Sequence, residues 1–257
     1  MNIISKPKRP LGGGGNNLNI TNPRTHNKKL KYPAFTLAEV LITLGIIGIV
    51  AALTLPTIIA NNKKKEVSSR LKKFYSSLNQ AVLLSEIDNG DYRYWDFSSD
   101  GITDEDGNKN QNVNAELCEK FFIKYIAKYL KYVKYEKGVN TSNDEGTQTI
   151  LKTNRVFFAD GSIVYLNFGD CADYIIDVNG EKKPNEYGYD RFMFNICPEG
   201  LSTKLNRNEK VSAYAGGSNI NTYEKALSKC KEAGARCTRL LQLNNWEIPD
   251  DYPYNIR

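Results

Sequence analysis

"YPAFTLAEVLITLGIIGIVAALTLPTIIANNKKK", residues 32–65, holds the one long apolar run of this 257-residue chain. As a helix, Phe35 to Ile59 rises about 37 Å, against roughly 30 Å for the hydrocarbon core of a bilayer. The run is therefore long enough to cross a membrane with some tilt. A cleaved secretory signal is the alternative, but its apolar region is about 7–15 residues long, carries no acid and ends in a small-x-small site. This run is longer, ends in Ile58-Ile59-Ala60, and contains Glu39. A charge inside a spanning helix costs roughly 2.5–3.5 kcal/mol on insertion scales, so Glu39 requires a functional reason.

On the N-terminal side, residues 1–34 carry Lys6, Lys8, Arg9, Arg24, Lys28, Lys29 and Lys31 and no acid. The formal net charge of +6 belongs to this leader, and the remainder is close to neutral. That distribution removes the inference of a basic nucleic-acid-binding domain. With Gly12 to Gly15, several prolines and many asparagines, the leader cannot bury enough apolar surface to fold and is expected to be disordered.

On the C-terminal side, Val67, Leu71, Phe74, Leu78, Ala81 and Val82 recur at three- and four-residue steps, so the helix should run on to about Ile87 with one apolar stripe. Pro56 lies inside it and removes one backbone hydrogen bond. Turn-forming residues follow, and then "NAELCEKFFIKYIAKYLKYVKYEKG" reads as a second helix. On it Lys120, Lys124, Lys128, Lys131 and Lys134 fall within an arc of about 120°. Such a stripe, edged by Tyr125 and Tyr132, could dock nucleic acid or an anionic surface polymer, but charge on the outer arc is also what the solvated face of an ordinary amphipathic helix shows, and that is the favoured reading.

"RVFFADGSIVYLNF" reads as a hairpin turning at Asp160-Gly161, and "ADYIIDVNG" and "RFMFNI" as two further strands. A last helix should start at Thr222 and stop or bend at Gly234. The chain thus divides into a leader (1–34), a long helix that spans in its first half (35–88) and one C-terminal globular domain (89–257). The five cysteines, Cys118, Cys171, Cys197, Cys230 and Cys237, fit an oxidising compartment. With one odd, their pairing stays open, although Cys230 and Cys237, about 10.5 Å apart on an unbroken helix, can bond only if the chain breaks at Gly234.

The single histidine, His26, lies in the leader, so a chain without the leader has no imidazole for a nucleophile's base or a metal. No carboxylate spacing singles out a hydrolytic pair, and no enzyme activity is expected. Asp177, Asn179 and Asp190 flank a loop rich in oxygen ligands, where calcium is possible and an ordinary Asx turn is the alternative. No other cofactor is required.

A basic leader, a small residue and then "FTLAEVLITLGIIGIVAALTLP" resembles the prepilin-type N-terminus of type IV pilins and type II secretion pseudopilins. Phe35, Thr36, Leu37, Glu39, Gly48 and Pro56 fall where that pattern places them, and Ala34 stands where the family usually has Gly. The resemblance implies cleavage between Ala34 and Phe35 by a prepilin peptidase and N-methylation of Phe35. It also implies an α+β, pilin-like fold, with one long transmembrane helix packed on a small antiparallel sheet plus extra helices. The expected role is a filament subunit held in the bacterial inner membrane, whose partners are the peptidase, other subunits and an assembly platform. Glu39, Gly48 and Pro56 would serve assembly, Glu39 by neutralising the Phe35 amine of a neighbouring subunit. A filament-displayed module binding an anionic polymer is the alternative. Charge disagrees in one respect: within about 15–20 residues of the span, Lys63, Lys64, Lys65, Arg70, Lys72 and Lys73 outnumber Arg24, Lys28, Lys29 and Lys31 on the leader side, opposite to the positive-inside bias.

Overall fold

The structure, a computed structural model, describes residues 35–103, 107, 110–141, 151–204, 209–216 and 220–256. Ala34 and His26 lie outside the described residues. The chain forms two compact units, Met1–Ile49 and Val50–Arg257.

Helix α1 runs Leu37–Asn89, with Pro56 inside it. In the first unit every described residue, 35 to 49, is exposed. In the second unit the pattern changes at Val67. From there Val67, Leu71, Phe74, Leu78, Ala81 and Val82 are buried, the same six positions that the helical spacing selects. Each buried Leu, Val or Phe in this stripe contributes about 1.5–3 kcal/mol over an exposed one.

The stripe packs on a six-stranded sheet of order β1-β2-β3-β4-β5-β6, antiparallel throughout. Its strands are β1 Lys134–Thr141, β2 Leu151–Phe157, β3 Ile163–Phe168, β4 Ala172–Asp177, β5 Arg191–Ile196 and β6 Val211–Ala213. Period-two alternation assigns the faces. Val164, Leu166 and Phe168 of β3, Ala172, Tyr174 and Ile176 of β4, and Phe192, Phe194 and Ile196 of β5 join α1 in one core. Within it the Phe74 ring lies 5.4 Å from Phe194 and Tyr75 lies 4.9 Å from Trp246.

The β2–β3 hairpin turns where Asp160-Gly161 places it. Gly161 N donates to the Phe158 carbonyl at 3.0 Å and Gly161 has φ +83°, a conformation glycine adopts without Cβ strain. The expected second helix is shorter than its pattern. Helix α2, Gln111–Phe121, passes into a π-type turn, Phe122–Ile126, in which Ala127 N bonds the Phe122 carbonyl, and β1 begins at Lys134. The wider turn shifts the helical phase. Residues 134–136 then pair with β2, Lys134 opposite Phe157 and Tyr135 opposite Val156, while the Tyr135 ring stacks 5.5 Å from Phe122. Strand pairing overrides the local helical periodicity here.

The C-terminal part adds α3 (Glu199–Lys204), α4 (Tyr223–Glu232) and α5 (Cys237–Leu243). Thr222 caps α4, accepting from Lys225 N at 3.4 Å, as expected. Helix α4 ends at an extended Ala233, and a short 3-10 turn from Gly234 leads into α5. This break brings Cys230 and Cys237 to a Cα separation of 4.4 Å, and they are bonded. Cys171 bonds Cys197 next to the Ala172–Ile196 register pair. Cys118 stays outside both bridges, buried, its thiol donating to Asn114 Oδ1 at 3.5 Å.

Candidate functional site

The start of α1 is built by Thr36 and Glu39. Thr36 precedes the first helical residue and acts as N-cap: Glu39 N donates to its Oγ1 at 3.2 Å. Glu39 reaches back, its Oε2 accepting from Thr36 N at 2.8 Å and from Thr36 Oγ1 at 2.8 Å. This reciprocal arrangement is a capping box, which satisfies backbone donors that otherwise have no intrahelical partner. The signal was in the letters Thr-x-x-Glu, and Thr36 is the residue whose local role sequence reasoning missed. All the atoms involved belong to Thr36 and Glu39, so cleavage before Phe35 would leave the box intact.

Phe35 is 85 % exposed and Glu39 is the only charged residue between Leu37 and Ile59. The helix is long and apolar enough to cross a membrane, and none of its most apolar stretch is buried. Apart from its chain neighbours and the backbone of its own helix, Gly48 has no heavy atom within 4 Å of the position a Cβ would take. Pro56 cannot donate to the Ala52 carbonyl, while the Thr54 hydroxyl bonds the Val50 carbonyl at 2.9 Å.

The loop between β4 and β5 brings the three expected ligands together. Asn179 Nδ2 donates to Asp190 Oδ2 at 3.1 Å, and Asn179 N to Asp177 Oδ1 at 3.3 Å. Asp190 also accepts from Asn185 N at 2.9 Å and Glu186 N at 2.7 Å. The Asn185 amide, turned as its neighbours require, donates to Asp177 Oδ2 at 2.9 Å. Arg191, the register partner of Asp177, completes the set: its Nε lies 2.9 Å from Asp177 Oδ2. Arg191 is the residue missed in this loop, and only the strand register reveals it. Burial pushes the Asp177 carboxyl up to about 7, against the lowering pull of Arg191. Both carboxylates thus face donors of the chain itself, and Asn179 Oδ1 is the buried oxygen of the set without a hydrogen-bond partner. As arranged, the loop is a hydrogen-bonded Asx turn locked by a guanidinium, and calcium at Asp177 would compete with Arg191.

The five lysines do not form one stripe, because the helix expected to carry them ends early. Lys120 is on α2 and pairs with Asp96 at 3.4 Å; Lys124 stands 4.8 Å above the Tyr125 ring. Lys128 pairs with Asp88, which also accepts from Tyr129 Oη. Lys131 stands at the rim of a groove between α1 and the β2–β3 turn, and Lys134, on β1, pairs with Glu136. Three of the five are thus ion-paired, and an anionic polymer would have to displace those acids.

Over residues 57–256 the chain matches the family described as "Family of unknown function (DUF6613)". The chain belongs to this family. The matched part begins just after Pro56, so the family covers the second half of α1 and the globular domain, and the prepilin-like segment precedes it. No match is found among the curated proteins or the solved structures.

Proposed function

We propose that this DUF6613 member is a structural subunit of a pilus-type filament, a type IV pilus or type II secretion-like pseudopilus. In this reading it is processed before Phe35, held in the bacterial inner membrane by the first half of α1, and assembled through that helix. The observation that supports the reading best is the helix itself. Leu37 to Ile59 carries no charge apart from Glu39 and no other polar side chain than Thr43, Thr54 and Thr57, and its side chains are exposed. Apolar surface of this extent is stable only in lipid or against other helices. The pilin-like layout fits: the helix runs on past its apolar half to place an amphipathic stripe on an antiparallel sheet.

Processing would leave a cationic amine on Phe35, one helical turn from Glu39. In a filament interior an unpaired charge costs roughly 3–5 kcal/mol, so Glu39 of one subunit would pair the amine of the next. The partners are the prepilin peptidase, further pilin-type subunits and an inner-membrane assembly platform. Intact-mass analysis of the protein from cells with a working peptidase tests the proposal. It should give a chain beginning at N-methylated Phe35; an N-terminus at Asn61, or an uncut leader, overturns it.

A further inference from the structure

On α1, between the end of the apolar run at Ile59 and the first core residue at Val67, lies Lys63-Lys64-Lys65. Four to six residues of helix place these lysines about 6–9 Å beyond Ile59. A headgroup layer is roughly 5–8 Å deep on each side of the hydrocarbon, so the triplet falls at its outer edge. Arg70, Lys72 and Lys73 lie about 16–21 Å along, beyond the headgroups and two or more screening lengths of about 8 Å away.

Local pairing does not consume the triplet. Glu66 is the one acid nearby, and it is shared: Lys63 Nζ lies 3.0 Å and Arg70 Nη2 2.8 Å from its carboxylate. Among the described residues neither Lys64 nor Lys65 has an ion pair. Of the cations farther along, two are engaged with the domain, Arg70 with the Val178 carbonyl and Lys73 with Asp160 at 3.0 Å. Nor does the triplet serve topology, because it lies on the side where the positive-inside bias would remove it.

We propose that Lys63, Lys64 and Lys65 form a collar that binds the phosphates of anionic phospholipids where α1 leaves the bilayer, holding the helix at a fixed depth. The inference rests on the membrane reading above and adds its lipid partner. An ammonium is a compact point charge on a flexible stem, suited to headgroup phosphates at varying positions. Each lysine near an anionic surface shifts such an equilibrium about 5-fold, so Lys64 and Lys65 together should give a preference on the order of 25-fold.

The test reconstitutes the full chain in nanodiscs of phosphatidylcholine with added phosphatidylglycerol and reads retained lipid by native mass spectrometry. Wild-type protein should retain phosphatidylglycerol preferentially. Lys63→Gln/Lys64→Gln/Lys65→Gln should lose that preference, and Lys120→Gln/Lys124→Gln/Lys128→Gln should keep it. Equal retention by wild type and the collar variant overturns the collar. Displacement of the lipid by inorganic phosphate at the same phosphate concentration assigns the site to free phosphate instead, and collar-dependent binding of a DNA duplex without lipid preference assigns it to nucleic acid. Failure of the chain to enter nanodiscs overturns the membrane reading itself; entry without lipid preference overturns only the collar.

Discussion

At the scale of single residues, Glu39 has one role in the structure and a second under the proposed function, and the two can be separated. In the structure it is the N3 residue of a capping box, and this alone gives an acid a reason to stand at the start of an apolar helix. Charge pairing in a filament is a second reason, and the two ask for different chemistry. Glutamine serves a capping box, since its amide oxygen can accept from Thr36 N, but it cannot cancel a cationic amine. Glu39→Gln should therefore keep the helix start and membrane insertion while filament yield falls sharply. Glu39→Val should insert as well or better, because a charge is removed from the span, and should also fail to assemble. Fractionation of membrane pool against sheared filament, or crosslinked oligomers for a pseudopilus, reads both. Wild-type yield from Glu39→Gln would mean that the carboxylate serves the helix cap and not the neighbouring subunit.

Among the elements, α1, the β2–β3 hairpin, β4, β5 and α4 were legible in the sequence because local signals and tertiary packing agree there. The six-residue stripe of α1, Gly161 at its positive φ and Thr222 at its cap each ask for the structure they form. Residues 127–137 were not legible. Their lysine and aromatic spacing continues a helical period, while the pairing of Tyr135 with Val156 depends on a strand elsewhere in the chain. The same limit hid Arg191, whose contact with Asp177 follows from the β4–β5 register. That contact carries a pH prediction. The folded Asp177 carboxyl, at about 7, lies above its ordinary value of 3.8, so between these limits the folded state holds a proton that the unfolded chain has released. The stabilisation from this proton is complete below about pH 4 and is lost as pH rises through 7. Wild-type unfolding free energy should fall between pH 4 and 8 by about 1–3 kcal/mol more than that of Asp177→Asn, measured by denaturant melts at each pH. Parallel profiles would show that Arg191 keeps Asp177 ionised throughout. The corner between α4 and α5 offers a simpler test. Gly234 there comes so close to the Tyr187 carbonyl that a Cβ would lie 2.1 Å from its oxygen, and the Cys230–Cys237 bridge closes the bend. Replacing both cysteines by serine should cost about 2–3 kcal/mol, because the bridge closes a short loop. An unchanged melting transition would mean that backbone packing at Gly234 holds the corner alone.

At the scale of the whole molecule, burial divides the chain more sharply than secondary structure does. Helix α1 is one element, yet no described residue before Val67 enters the hydrophobic core, and from Val67 to Val82 one face of the helix is core at every turn. The part that resembles prepilins and the part that matches the family meet near this boundary: one ends at Pro56, the other starts at residue 57. Folding and assembly would then draw on different residues, the core on 67–256 and the membrane and filament contacts on 35–59. A chain beginning at Asn61 separates them. Asn61 and Asn62 are residue types that cap a new helix start, so the truncation need not unravel α1. It removes no side chain of the core, and its thermal midpoint should match that of the full chain in detergent, with one cooperative transition. The same protein should be monomeric without detergent, absent from the membrane fraction, and unable to enter filaments when expressed beside the full chain. If it unfolds non-cooperatively or melts much lower, residues 35–60 contribute to the domain itself. If it still co-assembles, the filament contacts lie on the globular domain, and Glu39 and the apolar half of α1 serve only as an anchor.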